Sequence, residues 1–150
     1  MAANSKRERI IISDLTLIQG VSAVKTPIRT IPQYKDLQEF ALTQFPVVAV
    51  VGRLPVPEEK HSSRVSARVD LIKSRLVVDS YVYLMANENA DTEISSLMDD
   101  LWVALYADPS RGDLVTSTEL EVQEDVQKWA PFLAFRFSII HYYFHDTGGI

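Results

Sequence analysis

The chain has no cysteine in its 150 residues. That excludes disulfides, cysteine-ligated zinc, iron–sulfur clusters and thiol catalysis, and it fits synthesis in a reducing cytoplasm. Glycine is scarce, at five residues, and none of them builds a phosphate-cradling loop. Long apolar runs are missing as well. No stretch approaches the ~20 apolar residues that a bilayer crossing needs. The N-terminal MAANSKRERIIISDL starts basic, but Ser13 and Asp14 interrupt its apolar run, so it is a poor signal peptide. There is no internal repeat, no low-complexity tract and no GxSxG nucleophile elbow. A net charge of -5 argues against a general nucleic-acid binder, which needs clustered Lys and Arg. The length fits one domain with a real core.

Basic residues are nearly absent from one long segment. Residues 88 to 125 hold eleven acids and one base, Arg111, whereas residues 5 to 75 hold twelve Lys or Arg against seven Asp or Glu. Such polarity speaks about association rather than fold. A subunit with one basic and one acidic surface can pack head to tail on its own copies. The plainer reading is an acidic domain whose charges face water.

The periodicity predicts a helix over 5–19, capped by Asn4 or Ser5 and stopped at Gly20. Residues 21–31, broken by Pro27 and Pro32, read as an irregular or edge strand, and 35–40 as a short helical turn. Residues 45–51 (FPVVAVV) read as a buried strand. Residues 52–64, with two prolines and a Ser-Ser pair, carry loop chemistry. Strands are predicted over 64–70 and 75–85. In the second of these, Leu76, Val78, Val82 and Leu84 share one face, and Asp79, Tyr81 and Tyr83 the other. Residues 91–106 form an amphipathic helix whose core stripe runs Ile94, Leu97, Met98, Leu101, Trp102, Leu105. Asp108-Pro109 ends it, and Arg111-Gly112-Asp113 turns the chain. Two strands close the sequence, one within 114–122 and a long aromatic one over 132–144. The class expected is α+β: an antiparallel or mixed sheet flanked by two main helices, with a long polar loop or hairpin arm at about 52–64, in a single domain spanning 1–150.

Candidate chemistry is thin. Glu119 and Glu121 share a strand face, but paired carboxylates catalyse only with a cleft and separated pKa values; a solvated face or a lumen suits them better, together with Glu124 and Asp125. Asp99 and Asp100 lie opposite the core stripe, facing solvent or a basic neighbour. A divalent cation among these acids stays open, although no spaced ligand loop is present. His141, His145 and Asp146 share a strand end and read as ordinary surface residues rather than a metal site. Arg64 and Arg68 share a face and can meet an acidic neighbour or water. His61, Arg111 and Trp129 join Asp99, Asp100 and Tyr142 as interface candidates, because aromatics concentrate binding energy. Tyr142, Tyr143 and Phe144, so near the terminus, suggest a surface covered by a partner or the finish of a sheet. No catalytic residue, metal or cofactor is assigned.

One phrase is less anonymous. The helix over 91–106 runs into LYADPSRGDLV (105–115), followed by the acidic strand of 119–125 and the closing LAFRFSIIHYY. Upstream stand the N-terminal helix, the strand 47–51, a polar loop and the Tyr-rich strand 77–85. Taken together, this order resembles the tail-terminator proteins of long-tailed bacteriophages, the family that includes the lambda minor tail protein U. The resemblance covers nearly the whole chain, and no single motif in it is specific. It implies a structural, non-enzymatic virion protein assembled in the host cytoplasm. Its homo-oligomeric, hexameric ring would cap the tail tube, end elongation and offer the head–tail joining surface. The implied partners are the tail tube protein and a head-completion or connector protein, with DNA only as passing cargo through an acidic lumen and no membrane. The alternatives are a head-completion or connector protein, a tail-tube subunit, or a small soluble ligand-binding domain or enzyme.

Overall fold

A computed structural model of the chain describes residues 5–62, 70–85, 88–112, 114–124 and 132–146. Among them, helix α1 (Lys6–Gln19) leads into strand β1 (Thr26–Ile28) and the short helix α2 (Tyr34–Glu39). Strands β2 (Val47–Gly52), β3 (Val56–Ser62) and β4 (Asp70–Met85) follow, then helix α3 (Ala90–Leu105) and strands β5 (Ser117–Glu124) and β6 (Phe132–Asp146). The fold is α+β with one mixed sheet of six strands, ordered β1-β2-β4-β6-β5.

Local chemistry explains the main elements. Ser5 caps α1 by accepting from the Glu8 N–H at 3.1 Å, and α1 buries Ile10, Ile11 and Ile18 on one stripe. Asp36 accepts from the Gln33 N–H at 2.9 Å and so fixes the first turn of α2. Strand β1 is short, contains Pro27 and pairs parallel with β2 at the sheet's edge. The other pairings are antiparallel.

Strand β4 organises the sheet. Its second half pairs with β2 (Val78–Tyr83 against 52–47) and its first half with β3 (Asp70–Arg75 against 62–56). Strands β2 and β3 thus lie end to end along one partner, joined by the Arg53 N–H to Val77 carbonyl bond of 2.8 Å. Of the loop or hairpin arm expected at about 52–64, the structure has the arm: Val56–Ser62 is strand, paired antiparallel with β4, with a register shift between Pro57 and Glu59. Composition misleads here because an edge strand tolerates proline where no ladder donor is needed. The other flank of β4 pairs with β6 from Leu71–Asp146 to Met85–Phe132.

The two sheet faces differ. Helices α1 and α3 cover the face bearing Leu76, Val78, Val82, Leu84, Phe135, Phe137 and Ile139, which form the main core with Leu97, Leu101 and Leu105. Full burial of a side chain such as Leu101 contributes ~1.5–3 kcal/mol. On the opposite face, α2 covers one end only, where Leu37 packs on Val47, Ala49, Tyr83 and Phe132.

Candidate functional site

Asp14 stands on the buried stripe of α1, one turn after Ile10 and one before Ile18. A carboxylate there must be compensated. Arg111 Nε donates to its Oδ1 at 2.7 Å, and His141 Nε2 lies 2.7 Å from its Oδ2, with all three side chains fully buried. Arg111 arrives from the turn after α3 at φ 50, followed by Gly112 at φ 64. A left-handed L-residue costs ~1–2 kcal/mol; the ion pair and a bond from Arg111 Nη1 to the Asp108 carbonyl offset it. Arg111 Nη2 has no partner among the described residues.

The second ring nitrogen of His141, Nδ1, lies 2.9 Å from Thr118 Oγ1. That hydroxyl gives its one proton to the Pro109 carbonyl at 2.7 Å, so toward His141 it accepts. A carboxylate only accepts, so both imidazole nitrogens donate. One carboxylate therefore ties together α1, the 108–112 turn, β5 and β6. A hydroxyl, an imidazole and a carboxylate in line are also the parts of a nucleophile relay. The proton runs the wrong way for one, since a general base must accept from the hydroxyl, and this hydroxyl is turned to a carbonyl and buried. The cluster is a clasp.

The sheet face that α2 leaves open carries paired charges. Arg53 Nε donates to Asp79 Oδ2 at 2.7 Å, and Ser138 Oγ donates to Asp79 Oδ1 at 3.0 Å. Arg136 lies over the Tyr81 ring at 5.7 Å and bonds Gln123, which donates to Glu121 at 2.9 Å. Lys73 lies over the Tyr142 ring at 5.5 Å. At the start of α1, Lys6 donates to the Phe144 carbonyl at 2.7 Å. Burial, and then the positive charge of Arg9, hold the Lys6 ammonium below its usual range. The hydrogen bond from Arg29 holds Glu8 low, and burial pushes Tyr143 up.

The sequence-predicted residues scatter over these surfaces. Asp99 and Asp100 are exposed on α3, Glu119 and Glu121 are exposed on β5, and Tyr142 is half-buried on the open face. Arg111 is not an interface residue: it lies in the core, because Asp14 would otherwise be a lone buried charge. His141 is likewise internal, not a surface histidine, since its parity on β6 matches Phe137 and Ile139. Tyr143 is buried too and packs in the main core. Trp102, expected in the core, is 42% exposed. It stands about 100° around the helix from Leu101, beside Phe137 and Tyr106. Arg64, Arg68, Asp125 and Trp129 lie outside the described residues. His61 is on β3 and Glu124 on β5.

Sequence reasoning missed Asp14 and Thr118 and misread His141. The signal for two of them was present: Asp14 shares the helical spacing of the α1 core, and His141 the alternation of the β6 core. Open clefts lie between α1 and α3 (Gly20, Ser22, Asp100, Val103) and beside α2 (Pro32, Asp36, Glu39, Gln44). Among the described residues no helix is long and apolar enough to cross a membrane. Set against known proteins, the chain matches no protein-family model and no curated protein sequence.

Proposed function

We propose that this chain is a structural protein of a phage tail, a terminator whose subunits form a ring on the end of the tail tube. The ring ends elongation and offers the surface that joins the head. The observation that carries this reading is the two-sidedness of the slab. Helices α1 and α3 pack on one sheet face only. Beyond α2, the other face shows half-buried aromatics under cations, and exposed carboxylates on β5. A surface of that kind suits contact with other protein. Support also comes from element order, which apart from the short α2 runs helix, strands, helix, strands and ends on the long β6, as in the resemblance. Within the phrase 105–115, the turn over 108–112 is locked by Arg111. Among the described residues, the buried line from Asp14 through His141 to Thr118 is directed at a backbone carbonyl, which favours a non-enzymatic part.

The test is to mix the purified chain with tail tubes of the cognate phage and image the mixture by negative stain. Rings seated on tube ends, with tube growth arrested, are expected. Long tubes built from this chain alone would assign it to the tube instead. A chain that ignores tube ends but binds connectors would be a head-completion protein.

A further inference from the structure

We propose that copies of this chain join head to tail through opposite sides of their sheet, the acidic β5 edge of one copy receiving the basic patch of the next, where the start of α1 lies over the bend between β2 and β3. This rests on the ring reading above and names its subunit contact.

The two sides are unlike in charge and alike in exposing apolar side chains. Strand β5 ends the sheet on one side. Residues 117–125 hold four acids and no base, and Glu119 and Glu121 are exposed. Trp102 stands beside Phe137, the β6 residue paired with Val122 of β5. Asp99, Trp102 and Tyr106 share one side of α3, being three and four residues apart, and all three are exposed. Asp99, Glu119 and Glu121 form no ion pair among the described residues. The β5 edge is therefore an acidic border around two exposed aromatics.

Across the sheet, the start of α1 lies over the bend between β2 and β3. Arg7 donates to the Gly52 and Arg53 carbonyls at 2.8 and 3.1 Å. Arg29 reaches Glu8 at 2.7 Å, and Arg9 is exposed. Arg7 and Arg29, with Arg9 exposed on the same turn of α1, bring positive charge to that bend against Glu8, whereas Arg53 turns to Asp79 on the other face and the sequence of β3 adds Lys60 against Glu58 and Glu59. Leu54 and Val56 are exposed on the same bend, Leu54 by 81%. Pro55 and Pro57 lack the N–H needed to extend a ladder, so the contact is made by side chains rather than by strand addition.

A second copy fits better than a chain of other chemistry, because the cations at the start of α1 complement the acids of the β5 edge. The two lie on opposite sides of one sheet, so a two-fold dimer cannot join them. Only a heterologous contact can, and it closes into a ring when the rotation allows. The assignment moves Glu119 and Glu121 from the lumen to the subunit boundary.

The test is charge reversal on each side, read by sedimentation at low salt, with a thermal melt to show that each variant folds. Wild type is expected to associate. Glu119→Lys with Glu121→Lys, and separately Arg9→Glu with Arg29→Glu, should each raise the association midpoint at least ~10-fold, since like charges across a contact cost more than the 1.4 kcal/mol of one decade. Leu54→Glu touches no internal ion pair and should act in the same direction. An equimolar mixture of the two double variants should associate again, because alternating copies restore opposite charge at every contact. Folded variants that associate like wild type, or a mixture that stays apart, overturn the edge contact and leave the ring reading standing. A wild-type chain that stays monomeric at concentrations on the order of millimolar, and does not collect at tube ends, overturns both.

Discussion

Asp14 makes the largest single commitment in this fold, because it holds a buried arginine and a buried histidine at once. Removing one partner of a buried pair costs more than the pair contributes, since a charge is left without compensation. Asp14→Ala should therefore destabilise by ~3–5 kcal/mol, read as a shift of the urea midpoint with an unchanged slope. Thr118→Val tests the smaller end of the same chain of bonds and should cost ~1–3 kcal/mol, because His141 Nδ1 keeps its proton and loses its acceptor. The nitrogen resonances of the His141 ring check the donor assignment directly: both should fall in the protonated range, and an unprotonated Nδ1 would reverse the bond to Thr118. Much of this was legible in the sequence, because Asp14 and His141 occupy core phase on a helix and a strand. Arg111 was not. Its neighbours 108–112 form a turn, turns carry no phase, and nothing local says that a turn arginine folds inward.

At the scale of elements, the seating of α1 on β2 is set by a missing side chain. A Cβ at Gly52 would stand 2.4 Å from Ile11 Cδ1 and 3.1 Å from Arg7 Nη2. Ile11 is fully buried, so it cannot swing clear without disturbing its neighbours. Gly52→Ala should cost ~1–3 kcal/mol, the usual range for overpacking. Ile11→Val removes the offending methyl and alone should cost ~0.5–1.5 kcal/mol. Combined, the two should cost clearly less than their sum, so a double-mutant cycle with additive melts would refute direct crowding. Helices α1 and α3 were readable because an amphipathic stripe repeats over several turns. The arm was harder. Val56–Ser62 alternates too little to signal a strand, and it is one because β4 is long enough to need a second partner once β2 has ended. Trp102 shows the opposite error: it belongs to the apolar stripe of α3 by spacing, yet it is left at the surface while Leu101 and Leu105 are buried.

For the whole molecule, the question is whether two cores behave as one. The larger core lies under α1 and α3 and the smaller under α2, on opposite faces of the same sheet. Strands β4 and β6 supply alternate residues to both: Val82 and Phe135 to one, Tyr83 and Phe132 to the other. Neither core can lose its packing without disturbing strands that the other needs, and the Asp14 clasp adds a link from α1 to β6. That coupling was foreshadowed by alternation within the strands, but which strand sits next to which depends on pairing between residues far apart in sequence, such as Leu71 with Asp146. The expected consequence is one cooperative transition for the 150 residues, as small single domains show. Far-UV circular dichroism and tryptophan fluorescence of a Trp129→Phe variant, the latter sensing Trp102 over Phe137, should give coincident urea midpoints. A fluorescence change that precedes the loss of ellipticity would mean that α3 leaves the sheet while the rest stays folded. In that case the acidic edge and the basic patch would belong to separately stable units, and the rigid slab on which head-to-tail closure depends would not exist.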